Sequence, residues 1–143
     1  MAAPVLYTPE VLGLATALAQ FRWDESLPLQ AEARSASCGS TIRLGLSLSG
    51  GDVVDRIGLR SQACAIGQAS AAIFAQSASG RTAQDIRTTG RAIADWLKGE
   101  GDMPDWPGLV AIAAARDYPA RHGAVMLPWT AAIQLLPSGG QAR

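Results

Sequence analysis

Hydrophobic and polar positions alternate most regularly between Thr41 and Leu48. Aliphatic residues fall on one side of this segment and polar or small residues on the other, which is the two-residue period of a half-buried strand. The glycines within Ser49–Asp52 favour a tight turn, and Val53–Leu59 is predicted to return as the partner strand. A weaker alternation from Leu29 to Ser37 adds an edge strand. The pattern therefore predicts a three-stranded antiparallel meander with one buried face.

Apolar residues recur at helical spacing on both sides of these strands. The first predicted helix is capped by Thr8, begins at Pro9 and extends to Phe21. Later helical segments are predicted from Cys64 to about Ala78, from the capping box Thr82–Asp85 to Lys98, from Trp106 to Arg116, and from Pro119 to Leu136. In the last of these, Pro128 is expected to kink the helix or to start a new one.

This order of elements predicts an α+β fold: an N-terminal helix, a three-stranded antiparallel sheet, and then three to four helices packed on one face. The length of 143 residues favours a single domain over 1–143, with a short flexible tail from about 137.

Charge and hydropathy exclude several classes of partner. The formal net charge is zero, and the eleven arginines and one lysine form no basic block, so no nucleic-acid partner is expected. The longest strongly apolar run, Leu109–Ala115, is too short to cross a bilayer, and the N-terminal residues do not resemble a signal peptide. We therefore expect no membrane partner and a cytoplasmic location with reduced thiols.

The two cysteines carry the candidate chemistry. Cys64 is predicted at the start of a helix, where backbone amides and the helix dipole favour a thiolate, although a small buried hydrophobe is an equally good interpretation. Cys38 precedes Gly39 in a turn between strands, where its thiol either binds a ligand or packs in the core. A disulfide would join the pair in an oxidising compartment, but thiolate, metal or sulfur-carrier chemistry is favoured in the cytosol.

His122 is the only histidine, and a lone histidine is more often a surface or capping residue than a ligand. Together with both cysteines it would supply three ligands, one fewer than a closed zinc site needs. No hydrolase triad or phosphate-binding loop accompanies these residues, so neither of these two chemistries is expected.

Three segments resemble the NifU/IscU-type iron–sulfur cluster assembly scaffold family, including its zinc-binding SufU-like branch. They are the opening Tyr7–Leu12, the segment Ser37–Leu44 with its Cys-Gly pair, and Ala63–Ser70, which is the most specific. The resemblance extends over about Tyr7 to Leu135, and this chain would be a divergent member.

The resemblance implies a ligand set of three cysteines and one aspartate. Cys38 and Cys64 correspond to two of these cysteines, whereas Ser40 stands at the aspartate position. Ala124, or Gly123 if the register slips by one, stands at the third cysteine. His122 lies one or two residues from that position and is one candidate substitute ligand. Gly39 and Ser40 would add backbone or weak polar support for thiolate and sulfide charge.

The leading hypothesis is an iron–sulfur cluster assembly scaffold that binds iron or a transient cluster such as [2Fe–2S] through Cys38 and Cys64 and hands it to apo-proteins. On this hypothesis the protein would be a carrier and not an enzyme. Zinc is the cofactor that the SufU-like branch implies, and a cysteine desulfurase is the implied sulfur-donating partner. An exogenous thiol, a second subunit across a homodimer interface, or His122 would complete the coordination. The alternative is a degenerate scaffold that docks on or regulates a desulfurase, or a persulfide relay, without stable metal binding.

Overall fold

A three-stranded antiparallel sheet lies beside a layer of helices in the computed structural model, which describes residues 6–36 and 39–137. The elements follow in the order α1 (Pro9–Ala17), β1 (Leu29–Arg34), β2 (Thr41–Ser49), β3 (Val53–Gln62), α2 (Ala65–Ala78), α3 (Ala83–Leu97) and α4 (His122–Leu135). Short 3₁₀ segments occur at Leu18–Gln20, Leu109–Asp117 and Pro119–Arg121. The predicted α+β class is confirmed.

The sheet has the strand order β1-β2-β3, and its buried face is the one that the alternating pattern predicts. Ile42, Leu44 and Leu46 of β2 are almost fully excluded from solvent. Helices α2 and α4 both pack against the sheet, while α1 packs on α2 and α3 on α4. Burial of this apolar face is the main stabilising contribution that the sequence pattern provides.

The helix starts follow the capping signals in the sequence. The Thr8 hydroxyl accepts a hydrogen bond from the Val11 amide at 3.1 Å, with Pro9 as the first helical residue of α1. In α3 the Thr82 hydroxyl accepts from the Asp85 amide at 3.0 Å, and the Asp85 carboxylate accepts from the Thr82 amide at 3.3 Å. These bonds satisfy amides that have no partner inside the helix, which fixes both start points.

The outer face of the sheet is less open than the alternation predicts. Gly45 and Gly58 are cross-strand partners, and both are buried beneath the chain segment 22–27. A Cβ at Gly58 would lie 2.5 Å from the Arg22 carbonyl oxygen, so only glycine fits at this position. The two glycines thus make room for the segment between α1 and β1 to cross the outer face.

Several predicted boundaries are wrong. Strand β1 ends at Arg34 rather than at Ser37, which lies outside the described residues, and β3 continues to Gln62. The segment predicted as a helix from Trp106 is a 3₁₀ segment that begins at Leu109. The predicted tail from about 137 falls largely on residues 138–143, which also lie outside the described part of the chain.

Pro128 does not start a new helix, because α4 continues through it to Leu135. Proline has no N–H for the Ala124 carbonyl four residues earlier. Helix α4 is held by packing against α2, α3 and the sheet, which outweighs the loss of one helical hydrogen bond. The Ser70 hydroxyl of α2 also donates to the adjacent Val125 carbonyl at 2.6 Å.

Candidate functional site

Cys64 occupies the position that links β3 to α2. It is the N-cap of α2, with extended backbone angles (φ −65°, ψ 169°), and it is half-buried. Its thiol makes no capping hydrogen bond to its own helix. The sequence prediction that Cys64 lies at a helix start is therefore correct, and the thiol is free of intrahelical capping.

Backbone hydrogen bonds hold Cys64 on both sides. Its amide donates to the Ser40 Oγ at 3.4 Å, and its carbonyl accepts from the Gln68 amide at 2.9 Å. The Gln68 side chain also donates to the Ala63 carbonyl at 2.8 Å. These contacts restrict the orientation from which the thiol projects. Gln68 is a supporting residue that the sequence analysis did not single out, although it lies within the Ala63–Ser70 motif.

Ser40 brings the other cysteine motif to the same end of the sheet. It is 4% exposed and immediately precedes β2. Its carbonyl accepts from the Ser35 amide at 2.8 Å, and the Gly39 amide donates to the Ser35 carbonyl at 2.8 Å. These bonds close the β1–β2 hairpin. Cys38 itself lies outside the described residues.

Gly39 has a positive φ of 72° and is exposed. Glycine is favoured there because it adopts this conformation without the steric cost of a Cβ. Because its amide already donates to Ser35, Gly39 supports the hairpin directly. Its assignment as backbone support for a bound sulfide stays a prediction.

Ala124 meets the first turn of α2. It is fully buried, and its Cβ would lie 3.5 Å from a Cβ added to Gly67, three residues after Cys64. Gly123, the other candidate for the third cysteine position, lines a shallow pocket of about 200 Å³ beside the end of α3. Ala124 therefore lies against the helix that Cys64 caps, whereas Gly123 lines the pocket beside α3.

His122 begins α4 and contacts other elements. Its Nε2 lies 2.8 Å from the Arg116 carbonyl oxygen, and its side chain lines the same pocket as Leu97 and Met126. Within the described residues, no group of three or more His, Cys, Asp and Glu side chains is placed to hold a metal ion. The structure brings Ser40 and Cys64 together, whereas the contacts of His122 give no support to its assignment as a ligand, which stays a prediction.

The resemblance to the NifU/IscU-type scaffold family, including its SufU-like branch, that the sequence motifs predict is confirmed by comparisons of fold and of sequence. In fold, the chain is similar to a NifU-like N-terminal protein from Brucella abortus, with a TM-score of 0.84, 29% identity and 91% of each chain covered. It is also similar to the SufU protein of Fervidobacterium islandicum AW-1, with a TM-score of 0.82, 20% identity, and 91% of this chain and 96% of that one covered.

In sequence, the chain is 28% identical to the zinc-dependent sulfurtransferase SufU of Bacillus subtilis over 97 residues. The match covers 66% of this chain and 65% of that protein, so it spans just under two thirds of the relative's length. No protein-family model matches the chain. None of the helices in the described part of the chain is long and apolar enough to span a membrane.

Proposed function

We propose that this protein is an iron–sulfur cluster assembly scaffold that carries iron or a transient cluster on Cys38 and Cys64 and releases it to apo-proteins. The observation that carries this proposal is the hydrogen bond from the Cys64 amide to Ser40. It ties the start of α2 to the residue two positions after Cys38. Two residues of extended chain span at most about 7 Å, so this bond keeps the two cysteine motifs within reach of one cargo.

The likeness to NifU-like and SufU proteins supports the same function. In this proposal the cargo is a substrate that the protein holds for a short time. Ser40 and Ala124 stand where the resemblance implies two further ligands, and an alanine side chain binds no metal. Two thiolates leave an iron site under-coordinated, which favours exchange over permanent retention. A small thiol or a second copy of the chain would supply the remaining ligands.

The proposal includes a cysteine desulfurase as sulfur donor and apo iron–sulfur proteins as recipients. The protein acts as a carrier, with no catalytic residue assigned, although its Bacillus relative is named a sulfurtransferase. Zinc, which that name also mentions, is the second metal to test. A cytoplasmic location stays a prediction.

Anaerobic reconstitution with ferrous iron, sulfide and a small thiol tests the proposal. After desalting, iron and sulfide per chain and the visible charge-transfer bands are measured for the wild type, Cys38→Ser and Cys64→Ser. We expect bands in the wild type that both variants lose. Ala65→Ser, which adds a hydroxyl beside Cys64 and keeps both thiols, is the matched control and retains the bands.

A folded wild type that retains neither iron nor sulfide contradicts the proposal. Bands of equal intensity in Cys64→Ser contradict the assignment of that ligand. His122→Ala tests whether the imidazole is a further ligand. The bands persist if a thiol or a second chain completes the site, and they disappear if the imidazole completes it.

A further inference from the structure

The outer face of the sheet carries a directly opposed pair of arginines, and the facing carboxylate of β1, Glu32, lies across from only one of them. Arg43 of β2 and Arg60 of β3 are directly opposed cross-strand partners. Their guanidinium carbons lie 4.6 and 5.8 Å from the centre of the Trp23 ring. Like charges placed directly opposite each other destabilise a strand pair, and the aromatic face offsets this only in part. In the described part of the chain, neither guanidinium forms an ion pair.

The nearby Arg56 of β3 differs from this pair, because a carboxylate neutralises its charge. Arg56 forms an ion pair with Asp24 at 2.6 Å. The hydroxyl and the amide of Ser26 donate to that carboxylate and hold the pKa of Asp24 below its ordinary value, which keeps it charged. Glu25 accepts a hydrogen bond from the Trp23 indole at 2.7 Å. Asp24 is thus paired with Arg56, and Glu32 opposes only Arg43, which leaves a net positive charge across Glu32, Arg43 and Arg60.

A groove crosses all three strands at this pair. It consists of two adjoining depressions of about 220 and 240 Å³ that share Glu32 and Arg43. The first extends to β3, and the second extends to the edge of β1; their other lining residues are Thr41, Arg60, Gln62, Gln30 and Ala31. One end of the groove therefore lies at Thr41 and Gln62, the strand pair adjacent to Ser40 and close to Cys64.

We propose that this groove docks an extended acidic segment of a partner protein, with its carboxylates on Arg43 and Arg60. Two planar guanidinium groups side by side suit carboxylate recognition, because each can donate two parallel hydrogen bonds. An elongated groove bordered by amide side chains fits an extended chain better than a compact ion. Glu32 repels acidic residues at the β1 side and so sets which part of the segment carries the carboxylates.

Docking in the groove brings the partner close to the cysteine end of the sheet. Arg60 precedes Cys64 by four residues, which corresponds to at most about 13 Å along an extended strand. A protein held at the arginine pair would therefore lie within reach of the Cys64 thiol. Cys64 does not line the groove, so docking there is separate from the proposed metal binding at that thiol.

Peptide binding to the metal-free protein tests the groove. A fluorescein-labelled synthetic peptide of alternating glutamate and serine is titrated with protein at low ionic strength, and fluorescence anisotropy gives the dissociation constant. We expect Arg43→Gln/Arg60→Gln to weaken binding about tenfold, since two charge-assisted hydrogen-bonded contacts are lost. Glu32→Gln should tighten binding. Arg91→Gln, which removes an exposed arginine of α3, is the control and should change affinity less than about twofold.

Four results would overturn the proposal: no peptide binding, equal binding by the double variant, equal binding of a glutamine–serine peptide, or displacement by inorganic phosphate well beyond that by chloride at matched ionic strength. The last result would make the groove a site for compact anions. Thermal unfolding checks the variants, and neutralising the opposed charges should not lower the midpoint. If the double variant nevertheless fails to fold, Arg60→Gln alone carries the comparison.

Discussion

On the proposed function, adding the two ligands that the family resemblance implies should produce a stable zinc site. The change is Ser40→Asp together with Ala124→Cys. Ser40 already lies 3.4 Å from the Cys64 amide, and Ala124 packs on the first turn of the same helix. A carboxylate and a third thiolate at these positions would join Cys38 and Cys64 in the four-ligand set that a tetrahedral zinc site requires.

Without metal, this double variant should be less stable than the wild type. Ala124 is fully buried, and an added sulfur in a packed position costs about 1–3 kcal/mol. Ser40 is 4% exposed, so a carboxylate there also loses hydration, at a further cost of several kcal/mol before its hydrogen bonds are counted. The metal-free melting temperature should therefore fall.

Zinc should raise the melting temperature of the double variant more than that of the wild type. Free zinc at one hundred times the dissociation constant stabilises the folded state by about 2.7 kcal/mol. For a chain of this size that corresponds to a rise of about 5–10 °C in melting temperature. The assay is thermal unfolding with and without zinc, together with zinc per chain after desalting, measured with a chromophoric chelator. The wild type should show a smaller rise and retain less zinc.

The matched control is Ser40→Asp with Gly123→Cys, which moves the new thiol by one residue towards the pocket beside α3. It should show no rise beyond that of Ser40→Asp alone. An equal response from both thiol positions would refute the placement of Ala124. A folded Ser40→Asp/Ala124→Cys protein that retains no zinc would refute the assignment of the ligand set.

Two stability predictions follow from the packing. Gly58→Ala places a Cβ 2.5 Å from the Arg22 carbonyl oxygen and should lower the free energy of unfolding, measured by urea denaturation, by at least about 2 kcal/mol. Gly13→Ala in α1, where a Cβ has no neighbouring atom within 4 Å, should raise it by about 0.5–1 kcal/mol. Equal effects of the two substitutions would contradict the close approach at Gly58. Cys38→Ser/Cys64→Ser should keep its secondary structure without metal, because the apolar core suffices; a large loss of circular dichroism signal would show that the thiols are needed for folding.

The elements that sequence analysis predicted well are those whose signals are local. The alternation in β2 identifies its buried face, and Thr8 and the Thr82–Asp85 box locate two helix starts within a residue. Each signal involves residues two to four positions apart, so it can be recognised in the sequence without knowledge of the tertiary packing. The same reasoning correctly put Cys64 at the start of α2.

The arginine pair and its groove could not be predicted from local signals of this kind. Arg43 and Arg60 become neighbours only through the register of β2 on β3, and Trp23 reaches them only because Gly45 and Gly58 leave space on the outer face. A pairing register depends on the whole sheet, and a shift of one residue reverses every side chain. Alternating arginines on two adjacent predicted strands were the available signal.

For a related reason, the sequence did not establish which of His122 and Ala124 faces the helix of Cys64. Residues two apart on an α-helix differ by about 200° around the axis, so they face nearly opposite sides. Which side faces the cysteine helix depends on where α4 begins and how it packs, and the composition around Pro128 indicated neither. The structure starts α4 at His122, directs Ala124 towards α2, and leaves the histidine against the Arg116 carbonyl.

The two departures from the implied ligand set differ physically. Ser40 keeps a polar contact with Cys64, so that side of the site still provides a hydrogen-bonding group. Ala124 is fully buried, and the close packing of α4 on Gly67 occupies the space beside it. In the wild type, α4 therefore presents only a methyl group beside the first turn of α2, whereas Ser40 presents a hydroxyl to the Cys64 amide. In the proposed scaffold, a small thiol or a second chain is therefore a better candidate to complete the wild-type site than the native residues of α4.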